Sequence, residues 1–166
     1  MGDVKVINWL MEVTEIGEAA LRDNIEVVVD ISYSKVWKIH IKSAFIFLKK
    51  IPEKLFLESG VLKILHESCN ILNTPNLIAE NKKLSCFLMA DCGGIDLRSY
   101  FDGCFELDVF AQALSSYKTL QKATVPYVDK FIHLGIPDWR LDKLPYLYQE
   151  IIENQKLLNA LGLDKK

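Results

Sequence analysis

The 166-residue sequence carries no excess of charge of either sign. Its formal net charge is -2 with Lys and Glu mixed along the chain, so no basic face is built for nucleic acid or an anionic membrane. No apolar run approaches the ~20 residues of a membrane span, and the longest lie around 27–29 and 44–48. The first residues, Met1-Gly2-Asp3-Val4-Lys5, have neither the charged start nor the apolar core of a signal peptide. Val6 stands where a myristoylation motif needs Ser or Thr, and the expected compartment is the cytoplasm. Cys69, Cys86, Cys92 and Cys104 form no Cys-x-x-Cys pair and have no histidine at ligand spacing. Neither a zinc site nor a disulfide framework is implied, and four reduced, mostly buried thiols are the expectation. Internal repeats and low-complexity segments are also missing.

An apolar content of 50% is ample for one core. Val6, Ile7, Leu10, Met11, Ile16, Ala19 and Ala20 recur at helical spacing, which predicts a helix over 4–21, weakened near Gly17. The β-branched run 25–31, the stretch 36–41 and the stretch 44–51 predict three antiparallel strands, the first two joined by the hydroxyl-rich turn around Ser32 and Ser34. Pro52 opens a predicted helix running to about Cys69, in which Gly60 suggests a close approach. Two further strands are expected at 76–80 and 84–90, giving about five. After Asp91-Cys92-Gly93-Gly94 the period changes to that of helices, at 97–101, 107–123, 127–134 and 144–161. Pro126 and Pro137 read as helix starts, and Gly135 and Gly162 as helix ends.

Two residues stand out. Lys49 ends a strand that alternates Phe45, Phe47 and Lys49 on one side with Ala44, Ile46 and Leu48 on the other, so its ammonium leaves a half-buried face. Glu58 falls in one helical row with Leu62 and Leu65, and a carboxylate beside an apolar stripe wants a cation. A solvated strand-end lysine and a helix-flank glutamate are the plainer alternative.

In order along the chain, Val36-Trp37-Lys38-Ile39, Phe45-Ile46-Phe47-Leu48-Lys49, Glu58, Phe87-Leu88-Met89-Ala90-Asp91-Cys92-Gly93-Gly94 and Leu134-Gly135-Ile136-Pro137-Asp138-Trp139-Arg140 resemble the aminoglycoside phosphotransferase and choline kinase-like family. The resemblance runs from about Ile25 onward and covers only that family's N-terminal portion. It implies an α+β fold: a protein kinase-like small lobe over 1–90, with a five-stranded antiparallel sheet plus one helix, a hinge at 91–94, and an incomplete helical large lobe over 95–166. It also implies that Lys49 holds the α- and β-phosphates of ATP, that Glu58 orients it, and that Met89, Ala90 and Asp91 read the adenine edge. Ser32 and Ser34 would stand in the phosphate loop, which here lacks glycine, and Phe47 would cover the adenine and narrow its pocket.

The family's phosphoryl transfer needs an aspartate base in a His-x-Asp loop and a second, metal-binding aspartate. His40 is followed two residues on by Lys42, His66 by Ser68 and His133 by Gly135, so no histidine opens such a loop. Asp91-Cys92-Gly93 copies a metal-binding Asp-Phe-Gly only superficially, because His66 and Asn70 have the wrong spacing for the loop that should precede it. The expectation is a chain without catalytic residues or magnesium ligands, inactive alone and binding ATP weakly. A noncatalytic, pseudokinase-like binding or regulatory module is the alternative. An unrelated α+β domain is a third reading, in which Lys49 and Glu58 would lie far apart. Apolar stripes on 107–123 and on 144–161, the latter with Leu147, Ile151, Leu158 and Leu161, predict a homodimer through the C-terminal helices.

Overall fold

The computed structural model describes residues 4–163. It is an α+β protein whose contacts divide into two compact units, one ending at Leu134 and the other beginning at Gly135.

In the first unit, α1 (Val4–Thr14) and α2 (Glu18–Asp23) stand where the sequence predicts a helix weakened near Gly17. Glu15, with φ 57°, and the extended Gly17 break the two apart where the sequence is weakest. The strands β1 (Ile25–Ile31), β2 (Ser34–Ile41), β3 (Ala44–Lys50), β4 (Leu77–Asn81) and β5 (Cys86–Ala90) form one antiparallel sheet in the order β1-β2-β3-β5-β4. Both edge strands are bulged, β1 between Val27 and Val29 and β4 between Leu77 and Ala79, which spoils their ladders for further pairing.

Alternation along the strands makes two buried faces. Trp37, Ile39, Leu48, Cys86 and Leu88 point one way and are covered by Val6, Leu10 and Leu21 of α1 and α2. The expectation of one helix on the sheet is therefore corrected: the N-terminal helices cover the second face, and Val6 and Leu10, four apart, are their anchors. On the other face Phe87 packs with Ile51 and Leu62, flanked by Phe56, Leu77 and Met89.

The helix after Pro52 is also corrected. Pro52 leads into a 3-10 turn, Glu53–Leu55; α3 proper runs Glu58–Lys63, and Ile64–Ser68 widens into a π-type turn. Gly60 marks a close approach, as its sequence suggested: a Cβ there would sit 2.5 Å from Leu134 Cδ1 of the helix packed across it. That helix is α6 (Val128–Leu134), preceded in the chain by α4 (Leu97–Phe101) and α5 (Leu107–Thr124). Lys130 Nζ, also on α6, donates 2.8 Å to Ser68 Oγ.

The second unit holds α7 (Leu144–Glu153) and α8 (Gln155–Ala160). Pro137 starts no helix, contrary to expectation; it lies in an irregular segment where Arg140 forks onto Asp138 at 2.7 and 2.8 Å, and Pro145 takes the helix-start role. The long terminal helix is divided because the Asn154 side chain accepts from the Leu157 amide and caps a new helix. Gly162, φ 67°, ends it in the left-handed conformation. Among the described residues no helix is long and apolar enough to cross a membrane.

Candidate functional site

The site is built on the sheet face that carries Phe87. Lys49 lies opposite Val36 on β2 and Phe87 on β5, so its stem runs between a half-buried strand and a fully buried ring. Its ammonium reaches both oxygens of Glu58, at 2.9 Å to Oε1 and 2.6 Å to Oε2. Glu58 is the first residue of α3, where the helix dipole also favours a carboxylate. The Lys49 side chain is 21% exposed and that of Glu58 41%, so the pair sits at the margin of the core with one side open to water. The two residues singled out by strand alternation and helical spacing are thus brought together, and a domain that separates them is excluded.

The other expected site residues fall into two groups. Ser34, two residues before Val36, shares the Lys49 face at the start of β2, and Ser32 lies in the two-residue turn Ser32-Tyr33. That turn is tighter than the sequence suggested, since the strands pair up to Ile31 and Ser34. Met89, opposite Phe47, is on the same face as Lys49, while Ala90 turns to the other. The amide of Ala90 donates to the Asn76 carbonyl at 2.8 Å and that of Asp91 to the Phe45 carbonyl at 3.3 Å. Asp91 also accepts from the Gly93 amide at 3.0 Å, a turn-forming role. His66 is engaged with Thr74 Oγ1 at 2.9 Å, and its segment is the π-type turn after α3.

Two features escaped the sequence reading. Lys38 lies opposite Phe47 on the Lys49 face, its Nζ 4.0 Å from the centre of the Phe45 ring, and supplies a second cation there. The period-two alternation Ser34, Val36, Lys38 was the signal that could have found it. The second is a bridge from α3 to β4: Lys63 Nζ donates to Glu80 Oε1 at 2.8 Å, and buried Ser59 also bonds to that carboxylate. Burial opposes ionisation of Glu80, but the Lys63 and Ser59 hydrogen bonds and the Lys63 and Lys82 charges outweigh it and hold the carboxyl below the usual glutamate range. These partners are too far apart in sequence for any helical or strand period to pair them.

The thiols depart from expectation. Cys86 is buried and Cys69 half-buried, but Cys92, in the linker, and Cys104, in the α4–α5 turn, are exposed. Among the described residues, no cluster of His, Cys, Asp and Glu is arranged to hold a metal ion. A cavity of about 380 Å³ lies on the opposite side of the sheet, between Trp37 and the N-terminal helices, and Lys49 does not line it.

Chemically, the site offers one oriented point charge at a strand end, a second cation two positions across the sheet, and a linker beginning at the end of β5. Both cations are engaged within the protein, Lys49 by Glu58 and Lys38 by the Phe45 ring. Neither a family model nor a curated protein matches the chain.

Proposed function

We propose that this chain is the N-terminal, nucleotide-binding portion of a small-molecule phosphotransferase of the aminoglycoside and choline kinase-like type, with a protein kinase-like small lobe. The observation that carries the reading is the two-oxygen contact between Lys49 and Glu58, made across a sheet ordered β1-β2-β3-β5-β4 with its helix inserted between β3 and β4. A compact ammonium whose flexible stem is fixed by a carboxylate is suited to neutralise the α- and β-phosphates of ATP. Ser34 extends the same face toward the phosphates, and Phe47 and Met89 give it an apolar floor for a base.

On this reading the adenine edge is met one residue further on than the family resemblance implies. With the Ala90 and Asp91 amides taken by Asn76 and Phe45, the next donor is the Cys92 amide. Met89, Ala90 and Asp91 then position the linker, and Cys92 reads the base. Nothing comparable cradles the phosphates: the two-residue turn Ser32-Tyr33 has no glycine to let backbone amides close on them. Affinity for ATP is therefore weak and changes little with magnesium, and the chain by itself transfers no phosphoryl group.

That same short turn favours a second reading, a noncatalytic module that keeps the fold and the ion pair but takes no nucleotide. Titration calorimetry with ATP, with and without magnesium, separates the two. Weak heat that disappears in Lys49→Ala supports the nucleotide reading; no heat with either form supports the module. Tight magnesium-dependent binding or measurable turnover would overturn both.

A further inference from the structure

We propose that two copies of this chain associate antiparallel through α5, across a surface formed by Leu107, Phe110, Leu114 and Tyr117. This does not depend on the nucleotide reading. The helix has no buried residue along its length. Its half-buried side chains, Val109, Ala113, Leu120, Ala123 and Thr124, turn toward its own unit. Roughly a quarter-turn round the helix, Leu107, Phe110, Leu114 and Tyr117 are 69, 37, 53 and 58% exposed. Together with Gln121 they follow spacings of three, four, three and four, the pattern of a two-helix seam and not of scattered surface apolar residues.

The patch continues past the helix start. Tyr100, Phe101, Phe105 and Phe110 form a ladder of rings with successive centres 5.7, 5.2 and 5.4 Å apart, and Tyr100 and Phe105 are exposed. The six large exposed side chains from Tyr100 to Tyr117 leave on the order of 100 Å² each in water, roughly 600 Å² together, close to the ~800 Å² that one partner contributes to a standard interface. So large a contiguous apolar area is unusual on a surface without a partner.

Charge selects the partner and its direction. Glu106 and Asp108 stand at the start of α5, and Lys118 and Lys122 near its end. An antiparallel pair with Leu114 at the twofold axis sets the acidic end of each helix against the basic end of the other, and opposes the two helix dipoles. A parallel pair would stack like charges. The sheet edges are poorer candidates, because both are bulged and self-pairing of β1 about Val28 would put Glu26 against Asp30.

Sedimentation or light scattering at on the order of 50 µM, above the micromolar end of the affinities such interfaces reach, should give twice the 19.0 kDa chain mass. Leu114→Asp changes an exposed side chain; it should leave the circular dichroism unchanged and weaken association at least about tenfold. Orientation is tested with two charge-reversed chains, one carrying Glu106→Lys and Asp108→Lys, the other Lys118→Glu and Lys122→Glu. Each alone should be monomeric, and a mixture should form the heterodimer. A wild-type monomer overturns the proposal, as does a dimer indifferent to Leu114→Asp. A mixture that fails to pair while the wild type does refutes the antiparallel arrangement.

Discussion

Breaking the Lys49–Glu58 contact should cost little stability, and the size of that cost separates a functional pair from a structural one. Exposed ion pairs contribute about 0.2 to 1 kcal/mol, whereas removing one member of a fully buried pair costs about 3 to 5 kcal/mol. Here the side chains are 21 and 41% exposed, which places the pair much nearer the surface limit, and contact with both carboxylate oxygens places it at the upper end of that range. A coupling of about 1 kcal/mol is expected from a double-mutant cycle of Lys49→Met and Glu58→Gln. Methionine keeps the apolar stem that lies along the sheet, and glutamine keeps the shape at the start of α3, so neither change opens a cavity. Urea denaturation of the four proteins, read from the midpoints at constant slope, gives the coupling. A value above about 3 kcal/mol would mean that the pair is desolvated and structural, and would refute the assignment of Lys49 to an anion. A value indistinguishable from zero would mean that the contact does not form in solution.

Gly60→Val should destabilise the first unit by about 1 to 3 kcal/mol, because its Cβ would meet Leu134 Cδ1 at 2.5 Å and Cδ2 at 2.9 Å. Leu134→Ala in the same chain should recover part of the loss in the same denaturation experiment; unchanged stability of the single variant would refute the close packing of α3 on α6. In the native chain a thiol reagent should label Cys104 rapidly, Cys92 more slowly despite its exposure, and Cys86 only after unfolding. Desolvation and then the Asp91 charge hold the Cys92 thiol above its usual range, so Asp91→Asn should speed its labelling near neutral pH. Glu80 has a folded-state pKa below its ordinary value of 4.5, so its contribution to stability is full above that value and is lost as pH falls through the folded pKa. Glu80→Gln should therefore lower stability near pH 7 and flatten its fall on acidification below about pH 4.5. An unchanged acid profile would show that Lys63 and Ser59 do not hold the carboxylate.

The strands were legible because their signal is local. In β3 alternation of Phe45, Phe47 and Lys49 with Ile46 and Leu48 survives into the folded sheet unchanged, so both the face and the direction of Lys49 could be read. Helix interruptions were legible only where the backbone itself carries the cause. Gly17 announces the break before α2, but the break after Leu55 gives no such sign: Phe56 and Leu57 are ordinary helix residues, and Phe56 leaves the helical path to pack beside Phe87. Asn154 is a similar case, since an asparagine within a helical pattern becomes a cap only when the chain bends there. The N-terminal helices were read as helices but not as the cover of the second sheet face, because Val6 and Leu10 specify which side of the helix is buried and not what buries it.

The candidate site divides the same way. Lys49 and Glu58 are nine residues apart, joined by one strand end and one turn, so two local periods were enough to aim them at each other. The linker amides could not be read at all. Whether Ala90 or Cys92 offers a donor depends on Asn76, just before β4, and Phe45 of β3, whose carbonyls take the Ala90 and Asp91 amides. Backbone groups carry no side-chain signature, so their availability follows from register, and register here is shifted by the bulge between Leu77 and Ala79. Which linker amide is left for the proposed base contact is thus set by how β5 meets the segments on either side of it. Deleting Ile78 would leave Leu77 opposite Met89 and Asn76 at Ala90, so it should remove the bulge without freeing either amide, and calorimetry should find ATP binding unchanged; a changed affinity would refute the dependence of the linker on these two bonds.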